Sequence, residues 1–483
     1  MEQINRYRRS ERNSSKQTGK YAVRFRVVCL LHICFFFIVV LADLDYAAKV
    51  SLFAFLSAMT LWTGTKIPAG FIAISLISLI VFMKAATSDL LYNAFSEDVV
   101  WLMFGAFIIG EAIKESGLAA RFSRAIIHRA KNKHSIIRGY TFVLGLTALF
   151  IPSTSGRAAL SMPIIKQLAF HFSNKEKQFL AILTPVVILM STSATLIGAG
   201  SHLIGVGLLE VTTGKTISFF QWLIWGIPFT IVITILTMYI VKLLLWPKSS
   251  SISGSDAKPV DFAQEDMLQH LLPKEKKAVI VLIALIIGWV TEDIHGYDTA
   301  FVTIIGSILL MIPRYGIISW KQGIKAVSWN LLLFVAAATA LGHILVDTGV
   351  IGWMEREIIA NLHSFTGASE WTIVLILSIV TVTSHLYITS HTTRAIVFIP
   401  SLIIFGQAIG ADLDSFVFLS LIGMNYCVTF PVSSKALLLF YEEGDMRYNA
   451  QALLKISIVL MPIYIFVILL FYFTYWKWTG LSI

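Results

Sequence analysis

Ser153-Thr154-Ser155-Gly156-Arg157-Ala158 and Ser390-His391-Thr392-Thr393-Arg394-Ala395 are two short polar islands set between apolar runs. A proline follows each at the same spacing, Pro163 in one case and Pro400 in the other. Two copies of one Ser-x-Ser/Thr-x-Arg-Ala-x4-Pro pattern imply that the two halves of the chain are related. Hydroxyls beside a guanidinium suit an anion. The stretch therefore reads as a duplicated anion site embedded in apolar sequence.

The surrounding composition says what kind of protein holds it. The chain has 483 residues, 57% apolar and 14% charged, and its apolar runs repeatedly approach the ~20 residues that cross a bilayer. The expected fold class is an all-α polytopic membrane protein. Cys29, Cys34 and Cys427 lie in or beside apolar runs without metal-ligand spacing and read as small buried hydrophobes, so no disulfide framework is expected. Residues 1–26 form a basic tail (Arg6, Arg8, Arg9, Arg12, Lys16, Lys20, Arg24, Arg26) before a first span that lacks a cleavage signature. The net charge of +10 falls in short stretches between apolar segments, which fits the positive-inside rule and argues against nucleic acid as a partner.

The apolar segments flanking Ser153 and Ser390 are short, which suits two re-entrant hairpins, 139–172 and 371–409, with polar tips at mid-membrane. About eleven full spans then remain. This topology puts the basic tail, the 121–138 stretch, Lys175, Lys177, the 248–277 loop, Lys321, Lys325 and Arg447 on the cytoplasmic side. It puts Asp43, Asp45, Glu292, Asp293, Asp298, Asp412 and Asp414 outside. The N-terminus is expected to be cytoplasmic and the C-terminus external, anchored by Trp476, Lys477 and Trp478. A linker, 247–276, separates a first half (27–246) from a second (277–483). Trp101–Gly117 and Trp329–Gly349 resemble each other beyond the signature. With the hairpins entering from opposite sides, the halves are inverted repeats, an architecture of secondary transporters.

At a hairpin tip, helix N-termini favour negative charge and hydroxyls donate to carboxylate or sulfate oxygens. The candidate substrate contacts are Ser153, Thr154, Ser155 and Arg157 in the first copy and Ser390, His391, Thr392 and Arg394 in the second. Serine and threonine also satisfy freed backbone at kinks. A buried guanidinium is costly in a membrane; it either binds the anion bidentately or holds neighbouring carbonyls. His391 has three readings: substrate contact, proton carrier or simple hydrogen-bond partner. A second polar break follows each hairpin, inside the expected broken helices 179–209 and 415–440. Gly198, Ser201, His202, Ser433 and Lys435 are the candidates there for an ion site or a built-in replacement charge. Packing is the alternative for Gly198, and snorkelling for Lys435. His171, His270, His295 and His363 read as loop or interface residues. The chain carries no nucleophile elbow, phosphate loop or zinc-protease motif, so an enzyme is not expected.

At these residues, and over about 50–478, the sequence resembles the divalent anion:sodium symporter family of dicarboxylate, citrate and sulfate carriers. The supporting stretches include Ala94–Trp101, Glu115-Ser116-Gly117-Leu118, Ala194–Gly198 and Phe430-Pro431-Val432. The resemblance implies eleven spans, two hairpins, a homodimer and elevator-type alternating access. The family's Ser-Asn-Thr tips fall on Ser153-Thr154-Ser155 and Ser390-His391-Thr392, where Thr154 and His391 replace the sodium-holding asparagines. The loops that help hold sodium read Gly198–His202 and Ser433–Leu437 here. Arg157, Arg394 and Lys435 would then act as built-in cations, which favours exchange, uniport or proton coupling.

The resulting expectation is a plasma-membrane carrier of small divalent anions, C4-dicarboxylates first, with no cofactor and with Na+ or H+ as the candidate coupling ions. The alternatives are a sodium- or proton-coupled symporter of citrate, sulfate or another oxyanion, and a membrane anion sensor that does not transport. The expected partners are the small anion, the lipid bilayer and a second copy of the chain.

Overall fold

The computed structural model describes residues 26–483 except 66, 119–120, 123–124, 127–129, 131, 150, 152, 171, 248–270, 362–368 and 443–446. Most of the basic tail and of the linker, together with His171, His270 and His363, thus lies outside the described residues. Among those described, every regular element is helical. That follows from the solvent: in a bilayer each backbone amide and carbonyl needs an internal partner, and a helix supplies one within its own segment. Five helices are long and apolar enough to cross a membrane unaided, namely Tyr46–Gly64, Asn174–Ala194, Phe219–Leu245, Trp329–Asp347 and Ala450–Trp476. Shorter apolar helices such as Ala69–Phe82, Thr299–Met311 and Leu413–Met424 accompany them.

The chain forms two compact units. One joins the residues up to Ser96 with Trp329–Glu357; the other holds Glu97–Ser328 and Ile358–Ile483. In the smaller unit, Val39, Ala48, Leu52, Phe55, Leu345 and Val350 make a buried apolar cluster. The rings of Trp62 and Phe334 meet edge-on there at 4.9 Å. Gly70 lets Ala69–Phe82 lie against Trp329–Asp347, because a Cβ at Gly70 would come within 2.8 Å of the Asn330 carbonyl.

The larger unit is built around Phe219–Leu245, whose backbone carbonyls accept bonds from Tyr475 and Trp476. Trp476 donates its indole N–H to the Trp225 carbonyl at 2.8 Å, and Phe229 packs tilted against Trp476 at 5.3 Å and edge-on to Tyr464 at 5.5 Å. Both signature copies lie in this unit. The first sits between Lys133–Leu146 and Thr154–Ala169, the second between Glu370–Thr383 and His391–Ala408. Each is followed by an interrupted helix: Asn174–Met190 continues after a break as Gly200–Thr213, and Leu413–Met424 as Lys435–Glu442.

The packing of these pieces is crossed. Gly200–Thr213, from the first interrupted helix, packs on His391–Ala408 of the second copy. Lys435–Glu442, from the second, packs on Thr154–Ala169 of the first.

One sequence reading needs correction. Cys427 is buried, but Cys29 and Cys34 are exposed on the helix Arg26–Leu41. A helix immersed in lipid has no need to turn its small apolar side chains inward.

Candidate functional site

Each signature begins with a helix N-cap. Ser153 adopts extended backbone before Thr154–Ala169, and its hydroxyl accepts the Gly156 amide at 3.1 Å and lies 3.0 Å from the Ser155 hydroxyl. Ser390 repeats this before His391–Ala408, accepting from the Thr393 amide at 3.3 Å with the Thr392 hydroxyl at 2.9 Å. The pattern thus encodes a serine that satisfies one of the orphan amides of a helix start and a second hydroxyl one turn position away. Both starts carry the positive end of a helix dipole. Ser153, Thr154 and Ser155 are partly buried, as are His391 and Thr392, while Ser390 is exposed.

The arginine of each signature, one residue beyond the bonded amide, points inward and is buried. Arg157 donates from Nε to the Thr147 hydroxyl at 2.9 Å and from Nη1 to the Ile188 carbonyl at 3.0 Å. Its Nη2 donates to the Leu144 carbonyl at 2.9 Å and the Ser191 hydroxyl at 2.5 Å. Arg394 has counterparts for only part of that set. Its Nη1 donates to the Tyr426 carbonyl at 3.0 Å and, at 3.5 Å, to the Ser384 hydroxyl; Nε and Nη2 are buried with no nitrogen or oxygen partner, the weakly accepting Cys427 sulfur being the neighbour of the guanidinium. Thr147 and Ser384 each precede their arginine by ten residues. Of the bonded carbonyls, Ile188 lies in the last turn of Asn174–Met190, and Tyr426 lies in the break just after Leu413–Met424.

The breaks are polar and packed. At the first, the Thr195 hydroxyl donates to the Ala148 carbonyl at 2.8 Å, and a Cβ on Gly198 would fall on the Thr192 carbonyl oxygen. Only glycine fits there, so Gly198 is fixed by close backbone approach. His202 joins the two breaks: Nδ1 lies 3.1 Å from the Thr195 carbonyl and Nε2 lies 2.9 Å from the Asn425 side chain. Asn425 in turn donates to the Ser193 hydroxyl at 2.9 Å. Gly200 sits within contact of Thr392, since a Cβ on it would lie 3.7 Å from the threonine methyl. The second tip and the first break therefore face one another.

Of the other candidates, Ser201 is buried beside that meeting point with its hydroxyl unpartnered. His391 brings Nε2 to 2.9 Å from the Cys427 sulfur, while its Nδ1 has no partner. Ser433 is buried and accepts the Phe430 amide at 3.3 Å. Lys435 is exposed at the start of Lys435–Glu442, apart from the buried groups. Among these candidates the groups with an atom lacking a nitrogen or oxygen partner are Arg394 and His391 on the second copy and Ser201 at the first break. Buried polar groups are ordinarily bonded, and these three are exceptions.

Sequence reasoning missed four residues that the fold brings to this region. Cys427 was assigned to packing alone, and the Thr147 and Ser384 hydroxyls were not singled out although their equal spacing to the arginines is visible. His385 also escaped notice; its Nδ1 donates to the Val382 carbonyl at 2.6 Å, and its Nε2 faces the Thr429 hydroxyl at 2.6 Å. Among the described residues no group of three or more His, Cys, Asp or Glu side chains could hold a metal ion.

Comparison with known proteins bears on this geometry. A family model described as the sodium:sulfate symporter transmembrane region matches residues 20–482. The chain is 27% identical over 393 residues to a membrane protein of Cupriavidus necator, covering 80% of this chain and 76% of that one. It is 24% identical over 371 residues to the citrate/succinate antiporter of Escherichia coli strain K12, covering 73% and 74%. The fold is similar to that of the Alcanivorax borkumensis YdaH transporter, with a TM-score of 0.54, 14% identity, and coverage of 81% of this chain and 88% of that one.

Proposed function

The chain belongs to the sodium:sulfate symporter family, whose members are multi-pass membrane transporters of small anions and not enzymes, and on that premise we propose that it exchanges C4-dicarboxylates across the plasma membrane. Binding takes place at the paired tips, with Ser153, Thr154, Ser155, Ser390, His391 and Thr392 presenting hydroxyls, an imidazole and two helix N-termini to the anion. The resemblance to the citrate/succinate antiporter supports the substrate class and the mode.

The observation that carries the exchange reading is the use of the two guanidinia. Each holds a carbonyl beside a break, Ile188 in the last turn before the first and Tyr426 just inside the second. Opened helix ends of this kind are where secondary transporters expose carbonyls to a coupling cation. Here a fixed cation already bonds them. Arg157 then acts as a positioning residue, while Arg394 keeps an unbonded edge for the substrate. Alternating access, with elevator-type movement and a homodimer, completes the proposal; the N-terminus is cytoplasmic and the C-terminus external.

A second reading, sodium- or proton-coupled symport of citrate, sulfate or another oxyanion, is favoured by the family's own description. Counterflow of labelled succinate in liposomes separates the two. Exchange predicts equal uptake when sodium is replaced by choline, provided that unlabelled succinate is inside. A strict sodium requirement overturns it, and binding without uptake under any gradient makes the protein a sensor.

A further inference from the structure

Where Phe219–Leu245 ends, it lies beside the start of Lys133–Leu146 around a cavity of about 240 Å³. The lining is His134, Ile137, Arg138, Met238, Tyr239 and Lys242. Helical spacing explains the grouping: His134 and Arg138 are one turn apart on one helix, and Met238, Tyr239 and Lys242 share a face of the other. On the outer side Trp246 closes the group, its ring 5.2 Å from His134 and 5.2 Å from Phe179.

The cavity is basic and contains no acid. Glu176, the carboxylate that acts on His134, is already bonded by Lys133 at 2.8 Å and by the Ser173 amide at 2.7 Å. Among the described residues neither Arg138 nor Lys242 forms an ion pair. Burial, then Lys242 and then Arg138, hold the His134 imidazole below its ordinary pKa, with Glu176 only partly offsetting them. The local field is therefore that of uncompensated positive charge.

The neighbouring surface is apolar and exposed. Phe142, one turn beyond Arg138, is 67% exposed; Tyr239 is 55% exposed, and Ile235, one turn before it, 47%. Basic groups at a helix end with exposed apolar side chains running away from them match an ion that carries a hydrocarbon tail. A free anion has no use for the second part.

We propose that this cavity binds the phosphodiester of an anionic phospholipid, with Arg138 and Lys242 paired to the phosphate and the acyl chains lying along Phe142, Tyr239 and Ile235. Basic pockets at the membrane surface recognise such headgroups through charge, each lysine or arginine supplying about a five-fold factor in affinity. The full-length protein in mild detergent, titrated with phosphatidylglycerol and followed by native mass spectrometry, tests this against the R138Q/K242Q double variant. The double variant should retain phosphatidylglycerol about 25-fold more weakly, and the charge-preserving R138K/K242R variant should recover most of the binding. Phosphatidylcholine should bind the parent far more weakly, and millimolar inorganic phosphate should not displace phosphatidylglycerol. Three results would overturn the assignment: equal retention by parent and R138Q/K242Q, equal binding of the two lipids, or displacement by phosphate alone.

Discussion

Arg157 and Arg394 occupy the same place in the same motif, yet every nitrogen of the first guanidinium has a partner and those of the second do not. The neighbours explain the difference. In the first copy the Leu144 carbonyl accepts from both Thr147 and Arg157; its counterpart in the second, the Thr381 carbonyl, accepts from Ser384 and lies outside the reach of Arg394. Ser191 turns toward Arg157, whereas the hydroxyl at the corresponding break, Thr429, is taken by His385 and by Ser457 at 2.7 Å. A duplicated motif has kept its geometry and divided its work: one copy braces, and the other holds donors in reserve.

The largest test of that division is stability. Replacing Arg157 with alanine removes donors from two buried carbonyls and two hydroxyls, at a cost of about 3–5 kcal/mol on the scale of unsatisfied buried groups. Arg394→Ala should cost roughly 1–2 kcal/mol on the same scale while abolishing succinate counterflow. Melting curves of the detergent-solubilised variants give the ranking, and the opposite order breaks the comparison.

Next in size, Gly198→Ala must displace the Thr192 carbonyl, whereas a Cβ at Gly145, in the helix before the first tip, meets nothing within 4 Å. Gly198→Ala should lower the melting temperature sharply. Gly145→Ala should leave it unchanged or raise it, since alanine is the better helix former by roughly 1 kcal/mol. Equal effects would show the break to be loosely packed.

The caps sharpen the comparison further. Ser153→Ala and Ser390→Ala each remove an N-cap worth about 1 kcal/mol. If the second tip carries more of the binding, Ser390→Ala raises the succinate concentration for half-maximal counterflow more than Ser153→Ala does.

The smallest effect is an acid-side loss at the start of the second interrupted helix. Burial raises the Asp412 carboxyl, but bonds from Ser415 and Lys215 outweigh it and leave its pKa below the usual range. A depressed carboxylate pKa stabilises the fold above the unfolded value, near about 4, and that contribution fades as pH falls through the folded value. Melting temperature should therefore be flat above about pH 5 and decline below about pH 4. Asp412→Asn should flatten the decline.

Much of this was legible in the chain. The apolar runs and the paired Ser-x-Ser/Thr-x-Arg islands announce a helical membrane protein with two related tips, and serine before a helical turn is a local signal that needs no tertiary knowledge. What the arginines bond was not legible, because the carbonyls of Ile188 and Tyr426 lie 31 and 32 residues away and carbonyls carry no residue code. The His202–Asn425 contact spans 223 residues, and no pattern within either half marks it. Cys427 read as packing because sulfur tolerates apolar surroundings; only the fold brings His391 to it.

The crossed packing of the interrupted helices has a consequence for how such a protein can be made. Gly200–Thr213 packs on the second copy's tip helix and Lys435–Glu442 on the first's, so each tip helix, besides its contacts within its own half, is completed by a helix from the other. Two polypeptides divided between Leu245 and Pro273 should be degraded when produced singly and should rescue one another when produced together, as interlocking fragments of one core.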